Sequence, residues 1–158
     1  ELWPVFLQMI LLTLMFIGGM GGSTTGGMKI MRIILLAKYA ALETRRMLHA
    51  RALLPVKIGK QLIKEEIVRN TLGFFLFFMS AFIISTILLS TMGLDIESSI
   101  GAAASAMGNI GPALGDFGPT DNYSTLSEPG KWVLTFCMLL GRLEIFTVMV
   151  LFSRTFWK

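Results

Sequence analysis

Three groups of residues have types and spacing that bear on chemistry. The first is "GNIGPALG", with Gly108, Asn109, Ile110 and Gly111 at its head. Glycines let a chain take positive φ and turn carbonyls toward an axis. Rings of such carbonyls replace the water around a dehydrated cation. A dehydrated cation at Asn109, Ile110 and Gly111 is the cargo that this chemistry suggests, with no covalent cofactor. The same spacing also makes an ordinary outer turn. A short helix before it and an apolar span after it favour the filter.

The second group is Arg142, inside the apolar run from Trp132 to Phe152. A cation at mid-span costs roughly 2.5–3.5 kcal/mol and normally faces a bundle interior or water. Glu144 stands two residues away, off the same helix face, so Arg142 needs another partner. The alternative is a clamp on backbone carbonyls.

The third group is "GGMGGSTTGGMK", Gly18 to Lys29, which holds six glycines. A phosphate loop needs a Gly-Lys-Ser/Thr ending after a strand. Here Met28 follows Gly27, Ile30 follows Lys29, and a helical apolar run precedes, so that reading fails. A serine nucleophile needs a strained elbow and a base; "GGSTTG" is not that elbow, and His49 is the lone histidine. What stays open is a break in a membrane helix, with Ser23, Thr24, Thr25 and Lys29 as its polar groups, or a kink that only loosens packing. The single Cys137 excludes an internal disulfide and, with one histidine, a Cys/His zinc cluster. No enzymatic constellation emerges.

The elements that must position these groups are those of a membrane chain. The 158 residues are 54% hydrophobic and 15% charged, with a mean hydropathy of +0.70, against about a quarter charged in soluble domains. Glu1 opens an apolar run without a basic n-region, which predicts a piece of a longer chain and not a signal peptide. Lys38, Arg45, Arg46, Arg51, Lys57, Lys60, Lys64 and Arg69 cluster together, whereas Gly93 to Gly130 has no Lys or Arg and carries Asp95, Glu97, Asp116, Asp121 and Glu128. Basic loops stay cytoplasmic. The first region is therefore inside, the second outside, and the tail with Arg154 and Lys158 inside again. A nucleic-acid role for the basic loop is disfavoured by its shortness and its few aromatics.

Leu2–Ile17 is apolar, with Trp3 suited to an interface and Pro4 to a first turn. It is shorter than the about 20 residues a span needs. Met28–Leu48 resumes with an amphipathic helical pattern, so one helix runs from outside to inside with a break. Pro55 and Gly59 punctuate a cytoplasmic connector. Leu72–Leu94 carries no charge and is long enough to span. Asp95 is a good N-cap for a short helix through Met107, whose Ala, Ser and Gly allow close packing. Pro112 stops it, and the last span follows. Irregular backbone at membrane depth survives only when buried or lining a watery cavity. Two glycine-bearing breaks therefore suggest a path for a polar solute.

"FIGGMGGSTTGGMK" with "IMRIILL", then "GNIGPALG", then "MLLGRLEIFTVMVLFSRTFW", resembles the C-terminal third of the TrkH/TrkG/KtrB family of potassium-uptake proteins. The likeness covers nearly the whole chain, in order. It implies an all-α integral membrane protein of the bacterial inner membrane, built of four span–pore helix–filter–span repeats around one pore. Residues 1–50 would be the broken inner helix of repeat three, with its intramembrane loop at 18–29. Residues 51–66 would be the connector and 67–158 repeat four: outer helix 67–93, pore helix 95–107, filter 108–112, inner helix 131–154. The resemblance makes Gly21, Gly22, Ser23, Thr24, Thr25, Gly26 and Lys29 a gate, with Arg142 near the constriction below it. It makes Gly111 the filter glycine and potassium the ion held at Asn109, Ile110 and Gly111. The family more often has valine where Ile110 stands, and His-Pro-Arg-Ala where residues 49–52 read His-Ala-Arg-Ala. It further implies a homodimer, a cytosolic nucleotide-binding regulatory subunit of the TrkA/KtrA type, contact with membrane lipid and none with nucleic acid. A secondary transporter of another small solute, using broken helices, is the alternative.

Overall fold

An apolar run that opens on a proline and closes on a glycine forms α1 (Val5–Ile17) in the computed structural model, which describes residues 4–20, 26–48, 57–58 and 61–143. Pro4, with φ fixed at −57°, supplies the cap position, where no backbone N–H is needed. Gly18 ends the helix at φ 67° and ψ −161°, a conformation that costs little only without a Cβ. Thirteen residues rise about 20 Å, short of the about 30 Å hydrocarbon thickness.

The second half, α2 (Ile30–Leu48), starts two residues later than the apolar pattern suggests. Gly27 at φ 84° and Lys29 at φ 61° are both left-handed, so a right-handed helix cannot begin before Ile30. The break is closed on itself, because Ile30 N–H donates to the Gly19 carbonyl at 3.1 Å. Residues 21–25 lie outside the described residues.

The connector corrects the all-α expectation in one detail. Two-residue strands β1 (Lys57–Ile58) and β2 (Gln61–Leu62) pair antiparallel, Lys57 opposite Leu62. The Gly59-Lys60 sequence between them is of hairpin length.

The long helix α3 runs Glu65–Thr91, two residues ahead of the expected 67–93. Glu65 and Glu66 in its first turn suit the positive end of the helix dipole. Gly93 at φ 93° turns the chain at the far end. Among the described residues α3 alone is long and apolar enough to cross a membrane unaided. Then α4 (Ile96–Gly108) starts where Asp95 accepts a hydrogen bond from Ser98 N–H at 3.4 Å. Two 3-10 turns, Gly115–Phe117 and Tyr123–Thr125, lead to α5 (Glu128–Arg142). It starts three residues before the expected 131, because Pro129 suits the first turn and Lys131 pairs with Glu128 at 2.9 Å. The rest of the expected inner helix, beyond 143, lies outside the described residues.

The small helix α4 is the centre. It packs against α1, α3 and α5, while α2 packs on α3. Ser98, Ser99, Ser105 and the alanines Ala102, Ala103, Ala104 and Ala106 are buried, together with Met107, Phe78, Leu89, Phe117 and Cys137. Outside stand Leu76, Ile83, Ile84 and Ile87 of α3, Val5 and Phe6 of α1, and Trp132 and Phe136 of α5. A small-residue helix at the centre, with many large apolar residues facing outward, suits a lipid surround.

Candidate functional site

The C-terminal end of α4 gathers the candidate residues. Gly108 is the last helical residue, and its φ is not positive as expected; its missing side chain serves close approach. A Cβ there would meet Ile110 Cδ1 at 2.9 Å and the Met15 carbonyl of α1 at 3.4 Å. The left-handed position falls instead on Asn109, at φ 53° and ψ 44°, which asparagine tolerates better than other side chains. Asn109 Nδ2 donates to the Met138 carbonyl of α5 at 3.1 Å, so this side chain bolts the turn to the neighbouring helix. Gly111 does take positive φ, at 108°. Among the described residues no hydrogen bond reaches the carbonyls of Asn109 or Ile110, and Ile110 and Gly111 are exposed. Unclaimed carbonyls at an exposed turn are the groups that ligate a dehydrated cation.

The helix break meets this turn from below. Gly27 N–H donates to the Met107 carbonyl at 3.2 Å. A Cβ on Gly26 would stand 2.7 Å from Asn109 Nδ2, 2.8 Å from Met107 O and 3.0 Å from Gly108 O. From the other side, Gly141 of α5 lies so close that its Cβ would overlap Met107 O. Three backbones therefore converge on one carbonyl, with the Asn109 amide the side chain beside them. Arg142 is the residue after Gly141, the last of α5, and is exposed. Lys29 sits at the other end of the break, just before α2. Of the expected gate, Gly26 and Lys29 are seen here; Gly21, Gly22, Ser23, Thr24 and Thr25 lie outside the described residues.

A family model for a cation transport protein, TrkH, matches residues 1–158. The chain belongs to the TrkH family. The TrkH potassium-uptake proteins of the Trk system in Escherichia coli and Vibrio parahaemolyticus are each 40% identical to it over 156 residues, and TrkG of Escherichia coli is 33% identical. Each match covers 99% of this chain and 32% of the relative, so the chain spans about a third of their length. The crystal structure of the potassium transporter TrkH from Vibrio parahaemolyticus superposes with a TM-score of 0.88 at 40% identity, covering 99% of this chain and 33% of that one.

Within this TrkH-family segment, several residues at the site escape a sequence reading. Gly141 had a signal, since a glycine inside a helix implies close backbone approach. Ser105 and Tyr123 had none, because their partner Gly111 is reached only through the folded turn. Arg32 places its guanidinium 4.0 Å from the Phe74 ring centroid. Phe74, Phe78, Phe16 and Phe82 continue that contact as an aromatic ladder. It joins the two halves of the broken helix to α3.

Proposed function

We propose that this chain is part of the potassium-conducting subunit of a Trk-type uptake system in the bacterial inner membrane. The observation that carries the reading is the convergence of Gly26, Gly141 and the Asn109–Gly111 turn at the Met107 carbonyl. The relatives' names, potassium uptake proteins of the Trk system, supply the cargo. Carbonyls of the 108–111 segment contribute one quarter of a filter, and potassium exchanges water for them. Residues 18–29 form the gate below, and Arg142 adds an electrostatic barrier at that level. Separation of Gly26 and Gly27 from Met107 opens the path. Residues 1–50 and 67–158 belong to pore repeats three and four, and 51–66 connect them on the cytosolic side. The protein works as a homodimer among membrane lipids, with a cytosolic nucleotide-binding regulatory subunit of the TrkA/KtrA type. Permeation needs no bond chemistry.

The test is rubidium uptake by the full-length protein in liposomes, with and without competing sodium. Saturable rubidium entry that potassium suppresses and sodium does not is the expected result. Transport of another solute without rubidium flux would favour the secondary-transporter alternative.

A further inference from the structure

Gly111 is exposed and left-handed, and nothing lies within 4 Å of where its Cβ would be. No contact at a Cβ therefore fixes this residue, and glycine keeps wide backbone freedom even before Pro112. Two hydrogen bonds set the peptide planes on either side of it. Gly111 N–H donates to Ser105 Oγ at 3.1 Å, and Tyr123 Oη donates to the Gly111 carbonyl at 2.9 Å.

Both partners are anchored. Ser105 is 1% exposed on α4, and its own carbonyl accepts from Ile110 N–H at 3.0 Å, so one serine holds two successive peptide groups of the turn. Tyr123 stacks on Phe117, with centroids 4.6 Å apart and planes 6° from parallel. Phe117 is 1% exposed in the core, and its carbonyl accepts from Ala113 N–H at 2.8 Å, two residues past Gly111. The phenol is thus fixed to the same turn that it holds. Burial pushes the Tyr123 phenol upward in pKa, with a hydrogen bond to Ser105 as a smaller opposing effect, so it stays a donor through neutral pH.

A carbonyl oxygen has two lone pairs. Tyr123 takes one, fixes where the other points, and leaves it for a cation. We propose that Tyr123 and Ser105 are positioning residues that aim the Gly111 carbonyl and so set discrimination between potassium and sodium. The proposal rests on the filter reading of residues 108–111. Discrimination among alkali cations depends on the number and direction of coordinating carbonyls, and a glycine freed at both peptide planes loses that direction.

The experiment uses the full-length protein in liposomes and reads the ratio of rubidium to sodium entry. Tyr123→Phe removes one oxygen and keeps the stack; Ser105→Ala removes the buried hydroxyl. Each is expected to lower the ratio by about five-fold, the size of one ordinary hydrogen bond, with total cation flux maintained. A purely structural role would lower the amount of folded protein and leave the ratio alone. Gly111→Ser is run in parallel. If it shifts the ratio while Tyr123→Phe and Ser105→Ala both leave it within about two-fold, the bracket is wrong and the filter stands. If Gly111→Ser leaves the ratio unchanged, the filter assignment falls and the bracket with it.

Discussion

The break after α1 and the turn after α4 both interrupt a helix with glycines, yet they are held in opposite ways. The turn is gripped by side chains: Ser105, Tyr123 and Asn109 each direct a hydrogen bond into it or out of it. The break is tied backbone to backbone at Gly27 to Met107 and Ile30 to Gly19, across glycine surfaces. Side-chain grips fix direction and resist rotation. Glycine-to-glycine contact adds area and little direction, so it can part and re-form. In the proposed function one region holds a geometry and the other changes one, and they share the Met107–Asn109 segment.

The largest expected effect comes from forcing the two regions apart together. Gly141→Ala would drive a methyl into the Met107 carbonyl group, whose backbone cannot yield as a flexible side chain would, and press on Asn109 Nδ2 as well. The cost is expected to exceed the about 1–3 kcal/mol typical of overpacking. Size-exclusion profiles of detergent-extracted full-length protein should show little folded material. A normal profile would mean that α5 and α4 slide past each other easily, and the comparison would lose its shared joint.

Gly26→Ala is smaller and sharper. Its methyl would press on Asn109 Nδ2 and two carbonyls, less severely than the overlap at Gly141. The expected result is folded protein with raised rubidium leak and an unchanged rubidium-to-sodium ratio, at a cost of about 1–3 kcal/mol in stability. A changed ratio with no leak would reverse the roles assigned to the two regions.

The smallest effect lies at the other end of α4. The Ser98 side-chain hydroxyl is the main reason that the Asp95 carboxyl titrates below its usual 3.8, with the Ser98 N–H a smaller one, so the charged form is favoured in the folded state. That contribution is present at neutral pH and is lost as pH falls through the depressed folded value. Asp95→Ala should lower the thermal midpoint slightly at pH 7, and the two proteins should converge in strong acid. Asp95→Asn keeps a capping oxygen but not the charge, so it should fall between the parent and Asp95→Ala at pH 7. A selectivity change in either variant would mean that the start of α4 also steers the filter end.

What the sequence revealed follows the range of the forces involved. The helix break, the short central helix, its Asp95 cap and the family were all readable, because glycine runs, capping residues and apolar stretches act within a few positions. The place of the left-handed residue was misread. Glycine at 108 suggested positive φ, but the Met15 carbonyl and Ile110 crowd that position, and Asn109 takes the turn. Tyr123 and Ser105 were invisible for a related reason. A phenol in a polar loop and a serine in a small-residue helix look ordinary until the turn brings both to Gly111. The start of α5 was legible in Ser127, Glu128 and Pro129, and the apolar run distracted from it.

The bond from Gly27 to Met107 also has a schedule in it. The donor is synthesised long before its acceptor, with α2, the connector and α3 between them. Hydrocarbon offers a lone backbone N–H no partner. Until α4 is threaded, water or the insertion machinery must keep that group satisfied. The break is among the first parts of this chain to reach the bilayer and among the last to be finished, and a ribosome stalled before residue 107 leaves it without its acceptor.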